Sequence, residues 1–219
     1  MLAVIVAALL GVSATRQVAG TVPEYLLAAT ERPLLDFLVL AANASIRAGL
    51  EVKEGDNAGS GVSAPLQDQR TQIPRDQLVA AFNARRPAYH AAWVGDVLLI
   101  RPAIGRMEFL DSPSPIQTPT TTVGLTQALR TIFSPIKPRP PNSVAVGSAL
   151  GNEAGKALTE RFTLDGSNGR TVIDTLNQVT LQHQGAWWVT TRFIEAKWQP
   201  TEFGFVYSDF ARTRIQMMP

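Results

Sequence analysis

Leu78-Val79-Ala80-Ala81-Phe82-Asn83, with Ala92-Trp93 ten residues after Phe82-Asn83, is echoed at Val172-Ile173-Asp174-Thr175-Leu176-Asn177, with Ala186-Trp187 at the same distance. Each amphipathic run leads into an apolar, strand-like segment. Further upstream, each is preceded by another apolar helix-like run and a Gly- or Pro-rich loop. Self-similarity of this kind marks a duplicated structural unit. The pattern predicts an α+β chain of two small βαββαβ-like sandwich modules, each with two helices packed on short mixed or antiparallel strands. Paired modules of this sort present surfaces for binding rather than chemistry.

Outward from the repeat, Pro33 opens a helix, and Leu34, Leu35, Leu38, Ala41, Ala42 and Ile46 recur at helical spacing. The helix is expected over about 33–47, with Gly49 as its left-handed cap. Leu50 to Lys53 alternates as a short strand, Glu54 to Gly61 reads as a loop, and Val62 to Leu66 as an edge strand. Pro74 starts the second helix and Pro87 ends it. Tyr89 to Trp93 and Val97 to Ile100 then form a hairpin through Gly95-Asp96.

Ser112 to Thr122 is nearly all Ser, Pro, Thr and Gln, a composition that favours an extended, solvated linker. The expected organisation is a first module over 22–111, a linker over 112–122 and a second module over 123–219. In the second module Leu125, Leu129, Ile132 and Phe133 mark a short helix, and Ser143 to Ser148 a strand with Arg161 to Leu164 as its partner. Thr171 to Gln182 is the next helix and Ala186 to Ile194 a strand. The return strand is expected only at Phe203 to Tyr207, after an intervening Glu195 to Thr201.

The order helix, strand, strand, helix, hairpin resembles the short N-terminal domain shared by bacterial secretins and TonB-dependent outer-membrane receptors. Leu34-Leu35-Asp36-Phe37-Leu38, Ala48-Gly49-Leu50-Glu51-Val52, Leu78 through Phe82 and Tyr89 through Arg101 carry the likeness. It covers residues 33–102 and, more loosely, 123–207, where the Gly-Asp turn is replaced and Gly151 to Leu158 is inserted. The resemblance implies a small α+β sandwich and a non-catalytic periplasmic docking module that contacts envelope proteins.

Compartment and composition point the same way. Met1 to Val12 is apolar apart from one glycine, and Val12-Ser13-Ala14 places small residues where an export peptidase cuts. A signal peptide over 1–14 and an exported, periplasmic product are expected, although no basic residue precedes Arg16. After Ala14 no stretch has the length of a membrane span. The 219 residues carry a net charge of +2 with scattered basic residues, so nucleic acid is not an expected partner. There is no cysteine, which excludes disulfides, thiolate metal sites and a Cys nucleophile.

No catalytic residue stands out. The two histidines, His90 and His183, lack metal-ligand spacing, and their acid/base pairing would fall to Asp96 and Asp174. No Gly-x-Ser-x-Gly elbow is present. No enzyme activity, cofactor, metal or small-molecule ligand is expected; an envelope protein is the expected partner. The tryptophans and the aromatic C-terminal strand are the candidate contacts: Trp93, Trp187, Trp188, Phe203, Phe205 and Tyr207. Trp187 and Trp188 must point to opposite sheet faces, so one packs inward and the other is either covered by the following segment or free as a contact. The alternative is a periplasmic enzyme or ligand-binding protein using the cleft between the modules.

Overall fold

A computed structural model describes residues 20–56, 71–116, 120–136, 145–147, 161–165, 169–182, 185–207 and 212–216. The segment expected as a signal peptide, the edge strand expected at Val62–Leu66, and His183 lie outside them. The first half runs β1 (Thr21–Pro23), α1 (Tyr25–Ala29), α2 (Leu34–Asn43), β2 (Arg47–Lys53), β3 (Gln72–Pro74), α3 (Arg75–Arg85), β4 (Tyr89–Val94) and β5 (Val97–Pro102). After α4 (Glu108–Asp111) the second half runs β6 (Thr120–Gly124), α5 (Leu125–Ile132), β7 (Ala145–Gly147), β8 (Arg161–Leu164), α6 (Val172–Gln182), β9 (Gly185–Ile194), β10 (Lys197–Tyr207) and β11 (Arg212–Gln216). The fold class is α+β, and the described elements of both halves share the order strand, helix, strand, strand, helix, hairpin, with the short α1 as an additional helix in the first half.

The repeat extends to pairing. In each half the first strand pairs antiparallel with the third, β1 with β3 and β6 with β8. This corrects the expectation that Arg161–Leu164 pairs with the Ser143–Ser148 strand; β7 pairs with β11 instead. The remaining strands of both halves form one seven-stranded sheet, ordered β4-β5-β2-β9-β10-β11-β7. The joint is a parallel ladder between β2 and β9, from Ala48 opposite Ala186 to Lys53 opposite Thr191.

Strand directions show how the halves relate. β2 runs parallel to β5 and antiparallel to β4, and parallel to β9 across the joint, while β10 is antiparallel to β9. Each strand of the second half therefore points opposite to its counterpart in the first: β9 to β4, β10 to β5, β7 to β2. The second half is turned over about an axis lying in the sheet. Its helices consequently cover the opposite face. One core gathers Leu26, Phe37, Leu38, Leu78 and Phe82 from α1, α2 and α3 against Leu50, Ile100 and Trp188. The other gathers Leu110, Leu129, Phe133, Leu176 and Val179 from α4, α5 and α6 against Trp187, Phe203 and Phe205. A strand between two helix layers is covered on both faces: β2 turns Ala48, Leu50 and Val52 to the first layer and Gly49 and Glu51 to the second, and β9 turns Trp188 to the first and Trp187 to the second.

Local chemistry places the helix ends. Ser45 in a left-handed conformation (φ 59°) ends α2, so the chain turns into β2 earlier than its hydrophobic spacing implies. Gly49 is thus mid-strand rather than a helix cap. A Cβ there would sit 2.3 Å from the Trp187 ring, so glycine makes room for the tryptophan of the neighbouring strand. Trp187 is anchored by its indole N–H donating to Asn177 Oδ1 at 2.9 Å. At the start of α6, Thr171 and Asp174 cap each other: the Thr171 amide donates to Asp174 Oδ2 and the Asp174 amide to Thr171 Oγ1.

The solvated linker expected over 112–122 is packed at residues 112–116, and Thr120 to Thr122 belong to strand β6, paired with β8. Ser114 and Ile116 are buried. The Ser114 amide donates to the Arg170 carbonyl, Val172 N–H donates to the Ser112 carbonyl, and Thr175 Oγ1 donates to Ser114 Oγ. Backbone groups satisfied by α6 and its lead-in hold this polar stretch in place, which composition alone does not reveal.

The sheet interior also traps a charge. Glu51 lies on the β2 face shared with Gly49 and is fully buried. Its carboxylate accepts from Arg101 Nε at 2.8 Å and from the Met107 amide at 2.5 Å, while Arg101 forks onto Asp111 at 2.6 and 2.9 Å. The cluster fastens the 103–111 crossover, with α4, to the sheet. Burial pushes the Glu51 carboxyl above the usual carboxylate range, against the pull of the Arg101 charge.

Two outcomes follow. Gly49→Ala should destabilise the chain by about 2 kcal/mol, as overpacked cores do, with Trp187→Phe in the same chain recovering part of it in denaturant titrations. Arg101→Met should cost about 3 kcal/mol near neutral pH by leaving Glu51 charged and unpaired. A carboxyl whose folded pKa is raised is stabilising below the unfolded value and loses that contribution as pH rises through the folded one. The Arg101→Met deficit should therefore shrink as pH falls toward the carboxylate range, and a pH-independent deficit in urea midpoints would contradict the assignment.

Candidate binding surface

The joint with β2 ends at Lys53 opposite Thr191, but β9 continues to Ile194 and β10 begins at Lys197. The last residues of this hairpin therefore extend past the strand that supports them. Glu195 (φ 50°) and Ala196 (φ 60°) form its two-residue turn, both in the left-handed region. That backbone is the usual hairpin geometry, yet it is ordinarily supplied by Asn-Gly or Asp-Gly. This corrects the reading of Glu195–Thr201 as an interruption. The corresponding turn of the first half, Gly95-Asp96, has only its glycine in the left-handed region. At the base of the projection the Glu54 amide donates to the Thr191 carbonyl at 2.7 Å, and Glu54 pairs with Arg192, which holds the Glu54 carboxyl below its usual range.

The projecting part carries apolar side chains outward. Phe193 is 58 % exposed and Ile194 is exposed beside it. Phe193 stands opposite Trp198, their ring centroids 5.4 Å apart and tilted by 54°. Trp198 is half-buried, with the Lys53 ammonium 4.7 Å from its ring centroid. Its indole lies on Gly105, where a Cβ would come within 2.6 Å of Nε1; Gly105 also has a φ of +70°. The neighbouring Ile104 is 82 % exposed. Beyond Trp198 opens a cleft of about 410 Å³, lined by Arg106, Phe109, Pro135, Ile136, Lys197 and Pro200 among others. Both halves contribute to its walls.

The sequence-derived contact residues lie elsewhere. Trp187, Trp188, Phe203 and Phe205 are buried. Trp187 and Trp188 do point to opposite faces, but the overturned second half gives each face a helix layer, so neither ring reaches solvent. Trp93 is half-buried, with the Arg75 guanidinium 4.5 Å from its ring centroid and its indole donating to the Arg75 carbonyl. Tyr207 closes β10, and its side chain lies outside the described part of the structure. Phe193 and Ile194 fall at the end of the expected strand Ala186–Ile194, but with the return strand expected only at Phe203 nothing in that reading sets Trp198 opposite Phe193. The signal available in sequence was that a two-residue turn at Glu195-Ala196 sets Ile194 opposite Lys197 and the aromatic Phe193 opposite Trp198.

His90 on β4 is exposed, as its alternation requires. Its possible partner Asp96 is engaged by Arg75 at 3.1 Å, and Asp174 by Thr171, so each carboxylate has a structural role. Among the described residues, no cluster of three or more His, Asp or Glu side chains is placed to hold a metal ion. Among the same residues, no helix is long and apolar enough to cross a membrane. The β4 edge is partly closed by Asn83, whose carboxamide donates to the Ala91 carbonyl and accepts from the Ala91 amide, occupying the positions an added strand would use.

No family model matches the chain, and comparison with curated proteins and with solved structures likewise yields no match.

Two successive non-glycine residues in the left-handed region each cost about 1 kcal/mol. Ala196→Gly should therefore raise stability by about 1 kcal/mol in thermal or urea unfolding. A loss of stability would mean that the turn is not held in this conformation.

Proposed function

We propose that this chain is a non-catalytic docking module of the bacterial envelope that seats a partner protein on the tip of the β9–β10 hairpin and the cleft beside it. The observation that carries this reading is the exposed apolar set of Phe193, Ile194 and Ile104 around half-buried Trp198. Exposed apolar patches flanked by charged residues mark protein contacts, and Lys53, Arg106, Lys197 and Glu195 flank this one. A tryptophan held in place by its neighbours, with a cleft at its side, is the kind of anchor that dominates binding energy at interfaces. The strained turn at the tip fits the same use, since unfavourable backbone collects where a surface is shaped for contact. Export and periplasmic location rest on the apolar start of the chain and on the resemblance to secretin and TonB-receptor N-terminal domains.

A second reading, binding of a small ligand, is favoured by the cleft of about 410 Å³, a size suited to a small molecule and walled by both halves. The footprint decides between them. Phe193 and Ile104 lie outside the cleft lining, and a small molecule held in it would leave them exposed.

A photo-crosslinking residue at Phe193 should capture a defined protein in cells, while the same residue at Gln127, exposed on α5, should not. Trp198→Ala should weaken that capture by at least about tenfold, the loss typical of an anchor residue. Equal capture at both positions, or capture insensitive to Trp198→Ala, would overturn the docking reading.

A further inference from the structure

At the opposite end of β2 from the Trp198 cleft lies a second, smaller cavity of about 240 Å³. It is bounded by Thr21, Arg47, Gln72, Arg75, Trp93 and Asp96, with the Ala44–Ser45 turn behind them. Two arginines thus face one small polar space. Arg75 opens α3, and its guanidinium is held between the Trp93 ring and Gly20, where a Cβ would come within 2.8 Å of Nε. Its Nη1 reaches Asp96 at 3.1 Å. Arg47 begins β2, opposite Val97. The Nε atoms of both Arg47 and Arg75 are buried and find no hydrogen-bond partner within the described structure.

Buried polar donors are normally paired, and unpaired ones call for an explanation. Here two occur on charged groups lining the same cavity. With Asp96 the sole acidic residue in the lining, the walls carry a net charge of +1. Guanidinium groups present planar forks of N–H donors that match the oxygens of a carboxylate or a phosphate. The start of α3 adds the positive end of a helix dipole. The clamping of Arg75 between a ring and a glycine means that its fork is positioned before any ligand arrives, which lowers the entropic cost of binding.

We propose that this cavity is an oxyanion-binding site in which Arg47 and Arg75 together grip one carboxylate or phosphate group. The two arginines donate to its oxygens, and Asp96 keeps Arg75 in position. This site is separate from the Trp198 surface and holds whether or not a protein docks there.

The test uses the whole chain with nitrogen-15-labelled arginine and tryptophan, titrated with inorganic phosphate, with acetate, and with chloride at matched ionic strength. Saturable shifts of the Arg47 and Arg75 Nε–H signals and of the Trp93 indole signal are expected with at least one oxyanion and not with chloride. Tighter binding of phosphate would assign a phosphate ligand; tighter binding of acetate would assign a carboxylate. Arg47→Gln should weaken binding by about tenfold, the loss expected for a hydrogen bond to a charged group, and Arg47→Lys by less. The Trp93 indole position in the unliganded variants reports whether the cavity is still folded. Shifts that never saturate, that chloride reproduces, or that are as strong in folded Arg47→Gln would overturn the proposal.

Discussion

The structure depends on one strand being hydrogen-bonded on both sides and covered on both faces. β2 pairs with β5 of its own half and with β9 of the other, both in parallel. At this joint Trp187 of β9 lies over Gly49 of β2, with the indole tied to Asn177 on α6. A parallel pair buried on both faces leaves no side of the strand for water. The two halves therefore share a sheet and cannot be peeled apart without breaking its centre.

The overturned relation of the halves explains features that would be puzzling in two separate beads. α2 lies over β9 and β10 as well as over β2, and α6 lies over β2 and β5 as well as over β9. Each half thus supplies part of the other's core. Glu51 occupies the polar position of an alternating strand, yet its face is turned under α4 and the second helix layer, so its charge must be met by Arg101 and the Met107 amide. The same geometry consumes the outer edge of β9, whereas the equivalent edge of β4 is shorter and carries Asn83 against Ala91. One copy of the repeat became a joint and the other a blunted edge.

The two surfaces left for other molecules sit at opposite ends of this shared sheet. At one end the overlong β9–β10 hairpin lifts Phe193 and Ile194 clear of the body and rests Trp198 on Gly105. At the other, the turn from α2 into β2 and the start of α3 bring Arg47 and Arg75 to one cavity. The apolar end is the one proposed to meet a protein partner and the basic end the one proposed to take an anionic group. The division follows from what each strand terminus exposes once the middle of the sheet is closed.

The sequence by itself determined the element types and their duplicated order, because helical spacing at Leu78 and Phe82 and at Val172 and Leu176, and alternation in β4 and β9, are local properties of the chain. It also determined that Trp187 and Trp188 face opposite ways, since strand geometry permits nothing else. Only the tertiary structure decided that both rings are buried, that Gly49 serves a neighbouring strand rather than a helix end, and that Ser112 to Ile116 packs. Those outcomes depend on which elements meet across the β2–β9 joint, and no local pattern encodes the face on which a distant helix will lie. The Glu195-Ala196 turn was hidden for a related reason: its left-handed backbone is imposed by the pairing of the strands on either side, and neither residue prefers it alone.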